Sequence, residues 1–120
     1  MSNNIPILLQ RNLDVFAEKN PTRRRALIDE FYIEGCVFND PNKVVHRGRD
    51  EIDRIAGVIK ATHPDFQYQP IAEPDVSGDG GRIRWVSGRP GQPPAYAGTD
   101  FIVARDGRIA AVYLFFDKLP

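Results

Sequence analysis

The amino-acid sequence predicts an α+β domain in which three helices from the N-terminal half of the chain pack on a strongly bent, mixed or antiparallel β-sheet. Two observations carry this prediction. Apolar residues recur with helical spacing in the first half of the chain, whereas the second half holds extended apolar segments separated by loops rich in glycine and proline. A chain of 120 residues is long enough for one hydrophobic core, so we expect residues 1–120 to form a single domain.

Three segments carry the helical pattern. The first has its apolar positions between Ile5 and Phe16, and we expect it to end near Asn20. Asn20 is suited to cap a second helix that begins at Pro21 and ends at Gly35. The third helix is expected to start with a cap at residue 50, an aspartate, and to stop at the His-Pro step of residues 63–64.

The remaining segments read as strands. We predict six of them: Cys36–Asp40, Val44–Arg47, Phe66–Ile71, Arg82–Ser87, Ala95–Arg105 and Arg108–Asp117. The dipeptide Asp106-Gly107 is typical of a tight hairpin turn, so the last two strands are expected to pair directly. The result is two helices, two short strands, a third helix and then a meander.

The last strand is apolar on both of its faces. Strict alternation puts Ile109, Ala111, Tyr113 and Phe115 on one face and Ala110, Val112, Leu114 and Phe116 on the other. Three helices cover only one face of a bent sheet, so the second face needs another cover. A second copy of the chain is the simplest candidate, and the sequence therefore predicts a homodimer through the outer face of the sheet.

Composition narrows the classes of function. Sixteen basic residues balance sixteen acidic ones, which gives no field to attract nucleic acid or an acidic membrane. The single cysteine, Cys36, has apolar neighbours and is expected to be a packed thiol in a reducing compartment. Neither a signal peptide at Met1–Gln10 nor a membrane span is indicated, because every apolar run is too short. We expect a cytoplasmic protein.

Two carboxylates stand where strands normally have apolar residues. Asp100 lies inside the apolar run of residues 98–103, and Asp40 closes the run that begins at Cys36. A carboxylate removed from water is costly unless it is paired, hydrogen-bonded or protonated, so each is a candidate catalytic group. Two structural interpretations compete with this one. Asp40 before Pro41 also fits an Asx turn, and Asp100 also fits an ion pair with Arg84 on a neighbouring strand.

Other candidates add to these two. His46 is a possible acid or base at the edge of a pocket, although a lone histidine on a short strand also fits a structural role. The two histidines lie far apart without a ligand pattern, so we expect no metal. Five side chains are candidates for lining a pocket, and each aromatic one also fits ordinary core packing: Phe16, Tyr32, Arg84, Trp85 and Tyr96.

At this point the order and spacing of several motifs resemble the NTF2-like superfamily, in its SnoaL-like branch. The motifs are Phe38-Asn39-Asp40-Pro41, His46-Arg47-Gly48 before a helix, and Gly98-Thr99-Asp100-Phe101 followed by Asp106-Gly107-Arg108-Ile109. The resemblance covers nearly the whole chain. It implies a cone-shaped domain whose curved sheet and helices enclose a pocket, often paired through the outer sheet face. Members range from ketosteroid isomerase and polyketide cyclases to non-catalytic modules.

The resemblance also implies roles for individual residues. Asp40 matches the general base of ketosteroid isomerase, and Asp100 matches, within one position, its protonated aspartic acid. The tyrosine of the isomerase's first helix is replaced here by Val15-Phe16. Two hypotheses follow. The first is proton-transfer chemistry of isomerase, cyclase or dehydratase type on an apolar carbonyl compound, without a cofactor. The second is a non-catalytic module that binds a small ligand or associates with a protein.

Overall fold

Three helices and seven strands make up the fold in the computed structural model, which describes residues 3–120. The helices are α1 (Ile5–Ala17), α2 (Pro21–Phe31) and α3 (Arg49–Thr62). The strands are β1 (Tyr32–Asn39), β2 (Val45–Arg47), β3 (Gln67–Pro70), β4 (Asp75–Ser77), β5 (Gly80–Gly88), β6 (Tyr96–Arg105) and β7 (Arg108–Asp117). The predicted arrangement of three helices on a curved mixed sheet is confirmed.

The sheet has the strand order β2-β1-β7-β6-β5-β3, with β4 also paired to β5. Strands β1 and β7 run parallel, while all other pairs are antiparallel, and the sheet is open rather than closed into a barrel. The helices cover one face, which we call the inner face. The core between the two layers includes Leu9, Ile28, Ile52, Ile102 and Val112, all fully buried. No helix within residues 3–120 has the length and apolar character needed to cross a membrane.

The junction between α2 and β1 differs from its prediction. Asn20 caps α2 as expected, because its side-chain oxygen accepts hydrogen bonds from the backbone N–H groups of Thr22 and Arg23 at 2.9 and 3.1 Å. The helix does not continue to Gly35, however. Tyr32 already has extended backbone angles and pairs with Ile109 of β7, so the chain passes from helix to strand with no intervening turn. Burial and sheet pairing of Tyr32 therefore set the end of this helix.

The start of α3 was also predicted two residues too late, since the cap is Gly48 and not Asp50. Gly48 occupies the cap position with a φ of 89°, a left-handed conformation that favours glycine, and the helix begins at Arg49. Asp50 lies in the first turn, where its charge complements the helix dipole. The C-terminal end agrees with the prediction, since His63 follows the last helical residue.

The alternation along β7 is interrupted near its start. The register between β6 and β7 shifts between Val103 and Ala104, so that Ile109 and Val112 are both buried against the helices. The prediction that Ile109 shares a face with Tyr113 and Phe115 was therefore wrong, because it assumed an unbroken period of two. From Ala111 onward the alternation is regular, and the hairpin turn at residues 106–107 has the expected positive φ angles.

The outer face of the sheet is not covered by any part of residues 3–120. Tyr113 and Phe115 are 38% and 56% exposed there, and the ring of Tyr113 lies 6.0 Å from that of the half-buried Phe101. The outer face thus carries exposed aromatic side chains on β7, as the sequence predicts, while Arg82 and Arg84 of β5 are exposed on the same face. The dimer that was predicted from this face stays a prediction.

Strands β5 and β6 approach closely where Gly98 faces Trp85. The two residues pair across the strands, and the indole of Trp85 lies over the position where a side chain at residue 98 would stand. A Cβ atom on Gly98 would overlap this ring, coming within 2.7 Å of Cη2. Glycine at this position is what allows the indole to lie flat against the inner face.

We expect Gly98→Ala to displace Trp85 and to lower the free energy of unfolding by about 1–3 kcal/mol, as overpacking does elsewhere. Chemical denaturation and near-ultraviolet circular dichroism measure the two effects. Gly35→Ala is the matched control, because a Cβ at Gly35 meets no atom within 4 Å. Equal stability and equal spectra for both variants would contradict this account of Gly98.

Candidate functional site

A cavity of about 260 Å³ lies between the helices and the inner face of the sheet. Its wall is mainly aromatic, with contributions from Phe16, Phe38, Phe66, Tyr68, Trp85, Tyr96 and Phe116. Among the described residues that line it, Asp100 is the one carboxylic acid. The cavity therefore combines an apolar wall with a single acidic group.

The position of Asp100 follows from the pairing of three central strands. Residue 100 on β6 lies between Ile83 of β5 and Leu114 of β7, and its side chain points to the inner face. Asp100 is only 5% exposed. A charged form here is costly because water is replaced by apolar neighbours.

A short hydrogen-bond network holds the carboxyl group. Asn12 of α1 donates from Nδ2 to Asp100 Oδ2 at 2.9 Å, and the Tyr32 hydroxyl donates to Oδ1 of Asn12. The two bonds fix the orientation of the amide, since one side of it must donate and the other must accept. Asn12 and Tyr32 are both fully buried, so the network joins α1, β1 and β6 inside the core.

Burial changes the acidity of this group. It raises the pKa of Asp100 to about 7 from its ordinary value of 3.8, while Trp85 and Asn12 act in the opposite direction by stabilising the charged form. Burial, and to a smaller degree the negative charge of Asp100, raises the pKa of Tyr68 to about 12. Asp100 is thus available in both protonation states near neutral pH, whereas Tyr68 remains a neutral hydroxyl.

The indole N–H of Trp85 is a second polar group at the cavity. Trp85 lines the cavity, and its Nε1 atom is buried without a hydrogen-bond partner within residues 3–120. The N–H lies near enough to Asp100 to lower the pKa of that carboxyl, but it does not complete a hydrogen bond with it. An unused buried donor is costly, and a ligand oxygen in the cavity would satisfy it.

Asp40 and His46 lie together, but outside the wall of this cavity. Asp40 forms the Asx turn that was its alternative interpretation, accepting the backbone N–H of Asn42 at 2.7 Å. The ring of the buried His46 lies between two carboxylates, with Nε2 at 3.9 Å from Asp40 Oδ2 and Nδ1 at 3.9 Å from Glu51 Oε1. Asp40 and Asp100, the two candidate catalytic carboxylates, therefore do not line the same cavity.

The predicted pocket-lining residues divide into two groups. Phe16, Trp85 and Tyr96 line the cavity, whereas Tyr32 is buried behind it and reaches the site only through Asn12. Arg84 is exposed and pairs with Thr99, one residue away from Asp100, so it points to the opposite face of the sheet. This corrects both the pocket-lining position of Arg84 and the alternative of an ion pair with Asp100.

Sequence reasoning missed Asn12, although the chain carried a signal for it. Asn12 falls at a helical spacing of four from both Leu8 and Phe16, so it is a polar residue on the apolar face of α1. The same logic that singled out Asp100 in a strand applies to it. Within residues 3–120, no three histidine, cysteine or acidic side chains come together in a way that could hold a metal ion.

Comparisons with known proteins place this geometry in context. The sequence pattern of the SnoaL-like domain family matches residues 9–112. A comparison with curated protein sequences finds no match. A proposed isomerase of the SnoaL-like family from Agrobacterium tumefaciens is similar in structure, with a TM-score of 0.86 and 25% sequence identity over 93% of this chain and 96% of that one.

Two further solved structures share the fold at lower sequence identity. A proposed polyketide cyclase from Sinorhizobium meliloti has a TM-score of 0.73 and 22% identity, over 93% of this chain and 96% of that one. A proposed ketosteroid isomerase from Kribbella flavida has a TM-score of 0.71 and 16% identity, over 94% of this chain and 77% of that one. These likenesses show the fold.

The raised pKa of Asp100 predicts how stability depends on pH. The protonated Asp100 contributes to the free energy of unfolding, and this contribution should be complete below pH 3.8. It should decline as pH rises and be lost once pH passes about 7, because the folded state then holds a buried charge. A shift from 3.8 to about 7 corresponds to a loss on the order of 4 kcal/mol. Asp100→Asn should lack this decline, which urea unfolding at pH 4.5 and pH 8 would measure. Parallel behaviour of both proteins would contradict the assigned burial.

Proposed function

The chain belongs to the SnoaL-like domain family, and from this premise we propose that it binds an apolar carbonyl compound and catalyses proton transfer with Asp100 as acid and base. The observation that carries the proposal is the isolation of one carboxyl group in an aromatic cavity. Its pKa of about 7 supports the assignment, because an acid or base is most effective when its pKa is near the working pH.

The proposed step is enolisation. Asp100, ionised, removes a proton from the carbon next to the carbonyl group. The electron pair of that C–H bond forms a C=C bond, and the π pair of the C=O bond moves onto the carbonyl oxygen. The protonated Asp100 then returns the proton to a carbon of the enolate, which restores the catalyst. Proton transfer of this kind is common to isomerisation and to aldol-type cyclisation.

Two neutral donors at the cavity would stabilise the enolate oxygen. The Trp85 N–H has no hydrogen-bond partner among residues 3–120, and the Tyr68 hydroxyl has a pKa that keeps it protonated throughout the working range. Donors that face developing negative charge in a dry site contribute strongly to catalysis. They would take the place that a tyrosine of the first helix fills in ketosteroid isomerase, where this chain has Phe16. Asn12 acts as a positioning residue through its bond to Asp100.

The placement of Asp40 favours a second candidate function. The carboxyl group expected to serve as a separate base is engaged in a turn outside the cavity wall, so the site has one acidic group instead of two. One acidic group in an apolar cavity is sufficient for a non-catalytic module that binds an apolar carbonyl compound. Catalysis and simple binding are distinguished by whether Asp100 is required for turnover or only for affinity.

Hydrogen–deuterium exchange at the methyl group of 2-acetylnaphthalene tests the proposed step without knowledge of the natural substrate. In D2O the wild-type protein should accelerate this exchange, with a rate that rises with pH and levels off above about pH 7 as Asp100 ionises. Asp100→Asn should reduce the acceleration by about 100-fold or more, the usual contribution of a general base. Nuclear magnetic resonance of the ketone follows the exchange.

Asp40→Asn is the matched control, because it makes the same chemical change outside the cavity wall. It should leave the exchange rate within about twofold of the wild-type rate, a difference well below one catalytic group. Loss of exchange in Asp40→Asn would restore the base role implied by the family resemblance. Binding of the ketone by wild type and Asp100→Asn alike, with no exchange in either, would favour the non-catalytic module.

We also propose that the protein forms a homodimer through the outer face of the sheet. Support comes from the exposed aromatic side chains Tyr113 and Phe115, which lie beside the half-buried Phe101 and Val103. Exposed apolar surface of this kind commonly marks an interface. A second copy of the chain presents the same surface, so the contact would be self-complementary.

Phe115→Arg should convert the dimer to a monomer, because a buried guanidinium group without a partner would be costly in the proposed interface. Size-exclusion chromatography with light scattering measures the mass. Ile7→Arg is the control, since Ile7 is similarly exposed, at 47%, but lies on α1 on the other side of the molecule. A monomeric wild-type protein would rule out the dimer.

A further inference from the structure

A groove adjoins the mouth of the cavity and shares part of its wall. Lys60, His63 and Phe66 line both spaces, so these three residues form a wall that the cavity and the groove share. The groove also contains three more basic side chains, from Lys19, Arg23 and Arg89. We call this surface the basic groove.

Lys60 contributes an ammonium group to the wall that the two spaces share. It is 8% exposed, and its Nζ atom donates to the backbone oxygen of Phe66 at 2.8 Å. No carboxylate within residues 3–120 forms a salt bridge with it. Burial first, and then the neighbouring charge of Lys19, lowers the pKa of Lys60. A buried ammonium group without an anionic partner is costly, and an anion bound beside it would relieve that cost.

The charge around Lys60 is positive on balance. Four basic side chains line the groove against two acidic ones, Glu18 and Asp65. Both acids act on Lys60 from a distance and raise its pKa, but less than burial and Lys19 lower it. Glu18 is also engaged locally, because its carboxylate accepts the backbone N–H of Asn20 at 3.1 Å. The groove therefore has unneutralised positive charge next to an apolar cavity.

We propose that the natural ligand is an apolar keto acid, whose carbonyl end occupies the cavity at Asp100 and whose carboxylate lies in the basic groove beside Lys60. This inference rests on the proposed function, because it extends the ligand class of the same site. The two ends of the site differ in polarity, and one molecule with an apolar carbonyl part and an anionic part matches both. The carboxylate would receive charge-assisted hydrogen bonds from Lys60, and Arg89 would add attraction from the loop side.

A cationic ligand is the main alternative, since aromatic walls and a carboxylate also suit an ammonium group. The position of Lys60 opposes it. A cation in the cavity would meet the ammonium group of Lys60 at the mouth and three further basic side chains beyond it. The keto acid is thus favoured over the amine by the same charges that define the groove.

Three probes with one apolar body separate these possibilities: 6-acetyl-2-naphthoate, its methyl ester, and the corresponding aminomethyl cation in which CH2NH3+ replaces the carboxylate. Calorimetric titration measures their affinities at low salt, and fluorescence of Trp85, the single tryptophan, reports occupation of the cavity. The acid should bind at least about tenfold more tightly than the ester, as expected for one charge-assisted hydrogen bond in a sheltered site.

Two variants test which residues are responsible. Lys60→Met keeps the apolar stem and removes the charge, so the ratio of acid to ester affinity should fall to near one. The ester reports any damage to the cavity itself. Arg89→Gln lies in a surface loop and should reduce the ratio partially, with no effect on folding. Arg105→Gln, at the hairpin end of β6 and outside the groove, is the matched control and should leave the ratio unchanged.

Each remaining outcome would overturn the proposal in a distinct way. Equal affinity for acid and ester in the wild-type protein, while Asp100-dependent exchange persists, would remove the keto acid and leave the proposed function intact. A ratio unchanged in both Lys60→Met and Arg89→Gln would exclude the basic groove as the anion site. Tightest binding of the cation would assign the cavity to amines. Binding of none of the three probes would overturn both proposals.

Discussion

Burial of one carboxyl group at the centre of the sheet is the constraint on which much of this structure depends. Asp100 lies between apolar strands, so the hydrogen bonds of its carboxyl group must come from side chains on other elements. Asn12 comes from the first helix, and Tyr32 holds Asn12 from the point where α2 becomes β1. The abrupt helix-to-strand junction has a function in this light, because a turn at that point would move the Tyr32 hydroxyl away from the network.

Features with a local cause were predictable from the sequence. The Asn20-Pro21 step and the Asp106-Gly107 turn depend on hydrogen bonds and backbone angles within a few residues, so each appears where it was expected. Features with a tertiary cause were not. The bulge in β7 arises from its pairing with β6, and no sequence signal near Ala110 predicts it. The left-handed cap at Gly48 was overlooked because Asp50 offered a more familiar capping residue.

The residues of the candidate site also fall into those that the sequence indicated and those that it did not. Asp100 was conspicuous as a charged residue in an apolar strand, and Asn12 carried an equivalent signal in an apolar helix face. Arg84 was assigned to the wrong face because the sequence does not reveal the register that puts it opposite Thr99. For Asp40, the sequence was compatible with two roles, a local Asx turn and a catalytic group in the cavity. The carboxyl oxygen that accepts from Asn42 shows the turn, which needs no partner from elsewhere in the chain.

The parallel pairing of β1 with β7 also constrains the order in which the molecule can be assembled. Residues 32–39 obtain their parallel neighbour from residues 109–113, which are far away in sequence. During folding, β1 therefore lacks its parallel neighbour until a contact between these two distant segments has formed. Contacts so distant in sequence slow folding and prolong exposure of apolar surfaces. The same strand contributes Leu114 and Phe116 to the cavity wall, so the ligand-binding site is complete only after β7 has taken its place in the sheet.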